Sequence, residues 1–288
     1  MNFLFVLAVI LLACVVIFML AIHVGFRAPR ISNTETPETK LGVAYSTVFV
    51  PTKNAKKLST WFLPVHESEV TVVILHGWGS NAGMMLPLAS PFHAAGMNVL
   101  LFDARSHGGS ESDTFSSLPR FAEDTQSVVD WLKKTHPMAS QKIVLLGHSV
   151  GGAAVLLASS RTNDVAAVIS ISAFAHPTWM MQRYLKSVHL PSIMRPSILR
   201  YVEWVIGSRF NDIAPINTIR SVKCPVLLVH GNVDRVVPIE DSRAIIADGH
   251  LSHVSLIEVD GAGHDSVDNI ESHSQKLIDF LIKEKIVN

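Results

Sequence analysis

The sequence predicts an α/β fold, a mostly parallel sheet with helices on both faces. Six short runs rich in Val, Ile and Leu carry that expectation, because nearly continuous apolarity over five to eight residues suits strands covered on both sides. Amphipathic or small-residue helical patterns separate the runs, and strict alternation of strand and helix implies three layers. At 288 residues the chain is long enough for one large domain with a core of ordinary size.

The first element stands apart. FLFVLAVILLACVVIFMLAI, from Phe3 to Ile22, carries no charge. Twenty helical residues span about 30 Å, the thickness of a bilayer's hydrocarbon core. A transmembrane anchor over residues 1–26 is therefore expected. A cleaved signal peptide is the alternative. Against it stand the length of the run, the lack of Lys or Arg before it and the lack of an A-x-A site after it. LLAC, Leu11 to Cys14, resembles a lipoprotein processing box, but the apolar run continues past Cys14. Arg27, Arg30 and Lys40 follow the helix, so the positive-inside rule puts the C-terminal bulk in the cytoplasm. Residues 27–44 are polar and contain proline, which reads as a linker or tether.

Two more polar runs, YSTVFVP and LSTWFLP, fit an antiparallel edge hairpin at the start of the main domain, residues 45–288. The buried strands follow: VTVVILH (Val70 to His76), MNVLLFD (Met97 to Asp103), KIVLLGH (Lys142 to His148), VAAVISIS (Val165 to Ser172), CPVLLVH (Cys224 to His230) and VSLIEVD (Val254 to Asp260). Between them, Pro119 to Lys134 reads as a helix with Pro in its first turn and Phe121, Val128 and Leu132 on one side. VGGAAVLLASS is small and apolar all round, as a helix pressed on a sheet must be. SHSQKLIDFLIKEK closes the chain as a helix.

Composition removes several classes of function. Formal charge is zero, so no global basic field favours nucleic acid. The two cysteines, Cys14 and Cys224, sit in an apolar run and before a buried strand, which argues against a disulfide framework. Fourteen histidines invite a metal reading, but there is no H-E-x-x-H, and His250 with His253 forms only a loose H-x-x-H. No structural metal site is expected.

The chemistry is carried by GHSVG, Gly147 to Gly151. This pattern follows a strand and opens a helix. So sharp a turn forces Ser149 into a strained conformation, and the glycines remove side chains that would collide. The hydroxyl then stands at the carboxyl edge of the sheet, at a helix N-terminus. A serine hydroxyl needs a base. His264, in GAGHD after the last strand, is the candidate. Asp234, in HGNVDRVVP beyond the preceding strand, is the candidate orienter of its ring. The loop after VAAVISIS has no acid to compete with it. For an oxyanion hole, the expected donors are the backbone amides of Val150 and of Trp78 in HGWGS. His76 is expected to brace that loop. Asp103, Arg105 and His107 in FDARSHGGS are expected to pin their own loop, and His148 to pack.

Taken together, HGWGS, FDARSHGGS, GHSVGG, HGNVDRVVP and GAGH resemble the loops of the α/β-hydrolase superfamily, in the order Ser, Asp, His and over roughly Tyr45 to the C-terminus. The look is nearest to the serine aminopeptidase and monoacylglycerol-lipase-like branch. The resemblance implies an eight-stranded, mostly parallel sheet, an acyl-serine intermediate, no metal and no organic cofactor, and a helical lid insertion, about residues 173–223. That insertion carries Trp179, Met180, Met181, Tyr184, Met194 and Trp204, with Arg183, Lys186, Arg195, Arg200 and Arg209 among its basic residues, which suggests a cap over an acyl pocket, either resting on anionic lipid or presenting an ordinary solvated basic face. The expectation is a membrane-anchored serine hydrolase cleaving small-molecule carboxylic esters, with medium or long acyl chains favoured. The alternatives are an amidase, aminopeptidase or acyl-carrier thioesterase on the same residues, or a non-catalytic binding scaffold.

Overall fold

The computed structural model describes residues 3–25, 27–247, 251–265 and 273–287. His250 of the H-x-x-H pair and Ser272, at the start of the last helical pattern, lie outside them.

The apolar run is one helix, α1 (Phe3–Gly25). It is apolar on every side, and most of its large side chains are exposed while Phe18, Met19 and Ile22 are half-buried. By length and composition it is long and apolar enough to cross a membrane.

Eight strands form one sheet: β1 (Ser46–Pro51), β2 (Lys57–Leu63), β3 (Val70–Leu75), β4 (Asn98–Phe102), β5 (Lys142–His148), β6 (Ala167–Ile171), β7 (Val226–Gly231) and β8 (Val254–Val259). Their order is β1-β2-β4-β3-β5-β6-β7-β8. The hairpin β1–β2 is antiparallel and pairs antiparallel with β4, while every other pair is parallel. Side chains alternate across the pleat. Val73, Leu75, Leu145 and Leu228 enter one core with helices α4 (Leu118–Thr135), α5 (Val150–Ser159) and α10 (Glu240–Ile246). Val72, Ile74, Leu146 and Val229 enter the other with α3 (Leu86–Ala94) and α11 (Ser274–Lys283). Both faces are dry, which is why the strands read as unbroken apolar runs.

Between β6 and β7 the chain makes α6 (Pro177–Ser187), α7 (Arg195–Ile206), α8 (Phe210–Ile213) and α9 (Pro215–Thr218). α6 is tied to the body by Arg183, whose guanidinium donates to both oxygens of buried Asp241, at 3.0 and 2.8 Å. The Ala175 amide donates to the same carboxylate.

The stretch read as a tether is not free. A short helix, α2 (Pro37–Leu41), is capped by Thr36 and closed by Gly42 at φ 66°. Pro29 to Asn33 lies along the loops that follow β3 and β4, joined to them by side-chain hydrogen bonds. Such contacts between residues 50 to 82 positions apart leave no local periodicity, so composition alone could not reveal them.

The chain reverses its direction of travel across the sheet between β3 and β5. Loops leaving the carboxyl ends of neighbouring strands part there and open a crevice. The loop 76–83 after β3 and the turn at Ser149 after β5 lie side by side at that point.

Candidate active site

β5 ends at His148, and α5 starts at Val150. The single residue between them, Ser149, has φ 55° and ψ −120°, a conformation that costs an L-residue free energy and survives only where packing enforces it. Its amide donates to the Ile171 carbonyl at 2.8 Å, and its carbonyl accepts from Ala153. The glycines around it are required by contact. A Cβ at Gly147 would lie 2.2 Å from the Gly151 oxygen, and one at Gly151 would lie 2.4 Å from the His76 oxygen.

The Ser149 hydroxyl meets His264 Nε2 at 3.0 Å. On the other side of the ring, His264 Nδ1–H donates to Asp234 Oδ2 at 2.7 Å. These three residues, expected from separate loops, are brought together in one line. Asp234 also accepts from the amides of Val236 and Val237 through Oδ1. Burial alone would raise its carboxyl pKa. Hydrogen bonds from His230, His264 and the Val237 amide outweigh burial and hold the group well below the usual carboxylate range. Asp234 is thus a fixed negative charge beside the imidazole.

Two histidines that sequence reasoning left out of this arrangement support it. His148 Nε2–H donates to the His264 carbonyl at 2.8 Å, and the two rings lie 5.1 Å apart. Desolvation lowers the His148 pKa to about 4, so the ring is neutral near pH 7. His230 lies 3.4 Å from Asp234 Oδ2 and donates to the Val237 carbonyl at 2.8 Å, closing the turn that presents the acid. The signal for His148 was its adjacency to Ser149. For His230 it was an (i, i+4) spacing from Asp234.

The loop after β3 faces the hydroxyl. Gly77 sits so close that a Cβ there would be 3.2 Å from the Ser149 Cβ and from His148 Nδ1. Trp78 and Val150 line the same cavity as Ser149. Neither amide donates to another group among the described residues. His76 is fully buried. Its Nδ1–H donates to the Gly77 carbonyl at 2.7 Å, and its Nε2 accepts from the Ala104 amide at 3.0 Å. Burial lowers its pKa to about 4, which keeps Nε2 free to accept.

Asp103, Arg105 and His107 lie away from the hydroxyl and bind protein. The Asp103 carboxylate accepts from the amides of Ala82 and Gly109. Arg105 is buried and donates to Asp124, Glu123 and Asp113. His107 Nδ1 pairs with the Arg105 carbonyl at 3.0 Å.

The cavity above Ser149 has a volume of about 820 Å³. Met180, Met181, Tyr201 and Val205 of the β6–β7 insertion form one wall, and Ile22 and Gly25 from the end of α1 reach its mouth. Some expected cap residues look outward: Trp204 is 72% exposed. His148, His264 and Asp265 bring ligand atoms within 4.8 Å of one another. A cation held there would take one nitrogen of His264 and so break its hydrogen bond either to Ser149 or to Asp234.

Comparison with known proteins agrees with the fold. The family described as serine aminopeptidase, S33, a hydrolase family, matches residues 66–219. The protein YfhR of Salmonella typhimurium strain LT2 is 27% identical over 206 residues, 68% of this chain; the match spans 66% of that relative. The membrane protein YNL320W of Saccharomyces cerevisiae is 23% identical over 257 residues, 89% of this chain and 86% of that one. Among solved structures, the esterase Pf2001 of Pyrococcus furiosus superposes with a TM-score of 0.73 at 26% identity, covering 89% of this chain and 96% of that one. Est1E of Butyrivibrio proteoclasticus, solved with ferulic acid bound, has a TM-score of 0.65 at 20% identity over 80% of this chain and 97% of that one, a likeness of fold.

Proposed function

The chain belongs to the serine aminopeptidase S33 family of hydrolases, and from that membership we propose a serine-dependent carboxylic ester hydrolase anchored to a membrane. One observation carries the reading: Ser149, His264 and Asp234 are joined in line by hydrogen bonds of 3.0 and 2.7 Å. The Ser149 oxygen attacks the acyl carbon as its proton passes to His264 Nε2. Asp234 holds the ring's tautomer and offsets the charge of the imidazolium. The Trp78 and Val150 amides receive the oxyanion. The intermediate collapses with cleavage of the acyl C–O bond, and His264 gives its proton to the departing alcohol. Water, deprotonated by the same ring, then releases the acid and restores Ser149.

Medium or long acyl chains fit the cavity's size and its Met and Val wall. The end of α1 shares that cavity, so the mouth faces the surface from which an amphiphilic ester arrives. α1 supports anchoring by its length and apolarity, and the name of the yeast relative agrees. We assign residues 1–26 to the anchor, 27–44 to the connection, 45–288 to the hydrolase domain and 173–223 to a lid. Arg27, Arg30 and Lys40 favour a cytoplasmic domain.

An aminopeptidase needs a free carboxylate in the pocket for the substrate's ammonium group. Glu203, in the insertion, is occupied by the Phe210 amide, and Glu35, at the cavity wall, pairs with Lys40 at 3.2 Å, but Asp265 also lines the cavity, next to His264. The ester reading is favoured instead by the apolar wall of Met180, Met181 and Val205, which offers an acyl chain more than it offers an ammonium group. Ser149→Ala tests it. Hydrolysis of a chromogenic ester series and fluorophosphonate labelling are both lost, with the thermal transition unchanged. Turnover retained by that variant overturns the reading.

A further inference from the structure

The connection between α1 and the hydrolase body runs beside the loop that carries Trp78, and the two strips meet at a constant offset of fifty residues. Pro29 packs on Gly79. A Cβ at Gly79, whose φ is +67°, would lie 2.8 Å from Pro29 Cγ. The Ile31 carbonyl accepts from Asn81 Nδ2 at 3.1 Å. The Gly83 amide donates to Asn33 Oδ1 at 2.8 Å. Alternate residues of one strip thus hold alternate residues of the other.

Asn33 does more than close this ladder. Its Nδ2 donates to Asp103 Oδ2 at 2.9 Å, while Asp103 Oδ1 accepts from the Ala82 amide at 2.7 Å. The Asn33 carboxamide therefore joins the Gly83 amide to the buried carboxylate that follows β4, and the same carboxylate holds the preceding amide, Ala82, directly. Asn81, Ala82, Gly83 and Asp103 are all buried. Removing Asn33 leaves the buried Gly83 amide without its acceptor and Asp103 Oδ2 with the Gly109 amide alone. On the outer side, Arg30 Nε donates to the Gly108 carbonyl at 2.9 Å and Nη1 to Ser112 Oγ at 2.8 Å, which fixes the strip along the neighbouring loop.

We propose that Pro29 to Asn33 is a strap that positions the oxyanion loop, with Asn33 as its positioning residue. This rests on the serine-hydrolase reading above and adds to it a dependence on residues outside the hydrolase domain. The donor at Trp78 must already point to where negative charge will develop, because an amide that has to reorient during the reaction loses most of its value. His76 fixes the start of the loop and Asp103 its end. The strap holds the outer edge between them at positions 79, 81 and 83. Pro29 follows Gly25, the last residue of α1, by four positions. The seat of the anchor and the geometry of the oxyanion site are thereby parts of one connected frame.

The test uses full-length protein in detergent or in vesicles, with Asn33→Ala compared with wild type and with Thr34→Ala. Thr34 directly follows the strap and is exposed. A loosened donor predicts a fall in kcat of about tenfold with KM within about twofold, less than the loss from deleting an oxyanion donor outright. Affinity for a trifluoromethyl ketone, which places an oxyanion in the hole, falls by the same factor. Affinity for the product alcohol does not change, and Thr34→Ala behaves as wild type. A general loss of structure would not separate the ketone from the alcohol. If Asn33→Ala does not fold, Pro29→Ala, which removes only the contact on Gly79, gives the same split at smaller amplitude. Unchanged kcat in the folded variant, or a fall in kcat without a matching loss of ketone affinity, overturns the strap. Failure of wild-type protein to label with fluorophosphonate would instead overturn the underlying reading.

Discussion

His148 and His264 are joined by a hydrogen bond that bypasses the reacting atoms: the His148 ring donates to the His264 backbone carbonyl at 2.8 Å. The residue next to Ser149 thereby holds the loop that brings the base. His264 comes from beyond the last strand, 115 positions from Ser149, and its ring reaches the hydroxyl at 3.0 Å. Replacing His148 by Ala leaves the Ser149 turn in place and removes the link to that loop. The expected result is a fall in kcat of about 10-fold to 100-fold with little change in KM, the size that a misplacement of about 1 Å brings. Steady-state kinetics on a short chromogenic ester read it. His148→Asn, whose side-chain amide can still donate, recovers part of the loss. Equal kcat in His148→Ala and wild type would assign the histidine to packing alone.

Gly151 tests the packing of the nucleophile turn. It is the second helical residue of α5 and is buried. A Cβ there would lie 2.4 Å from the His76 oxygen and 2.7 Å from the Leu75 oxygen, at the end of a central strand. Backbone of β3 cannot give way without disturbing its pairing with β4 and β5. Gly151→Ala is expected to destabilise the fold by about 3 kcal/mol or more, at the upper end for a single methyl group in a packed interior. Denaturant unfolding, or loss of soluble protein, measures it. Stability close to wild type would mean that α5 can shift outward, and that the serine's positive φ is not enforced by contact.

The strands and the Ser149 turn were legible because their causes are local. A central strand with helices on both faces is apolar at every position, so Val72, Val73, Ile74 and Leu75 read as one run although they enter two cores. A strand-to-helix turn with φ of 55° at serine needs glycines at fixed offsets, and GHSVGG displays them. The expected limits of β5 agree with the structure residue for residue, Lys142 to His148. Less local devices were not legible. α3 begins with LP and holds Pro91 inside, so it lacks an unbroken helical signature. Asn33 and Arg30 sit in a Pro-containing polar stretch whose composition suits a tether, and their partners lie 50 to 82 positions away. The bond from His148 to His264 spans 116 positions. Pairings of that range depend on where the sheet brings two loops together, which a reading of neighbours along the chain cannot supply.

Acid sensitivity follows from His107. It is fully buried, edge-on to Phe121 at 5.1 Å and close to His76 at 5.0 Å, with Nε2 unpartnered among the described residues. Desolvation, and then the neighbouring His76, lower its pKa from 6.5 to about 4; Arg30 adds to the shift, while the bond to the Arg105 carbonyl and the charge of Asp103 oppose it. A folded-state pKa below the unfolded value means that the unfolded chain takes up a proton first as pH falls. The contribution of neutral His107 is therefore complete above about pH 6.5 and is lost as pH drops towards 4, at about 1.4 kcal/mol per pH unit. Asp124, raised to about 6 by burial, works in the opposite direction in the same window. The comparison must therefore be between proteins that both retain it. His107→Phe keeps an aromatic ring against Phe121 and removes the titrating group. The plot of unfolding free energy against pH, from 6.5 to 4, should be shallower in the variant by up to about 1.4 kcal/mol per unit, which is one proton. Equal slopes for the two proteins would mean that His107 is protonated in the folded state at these pH values, and that its charge is accommodated beside Asp103.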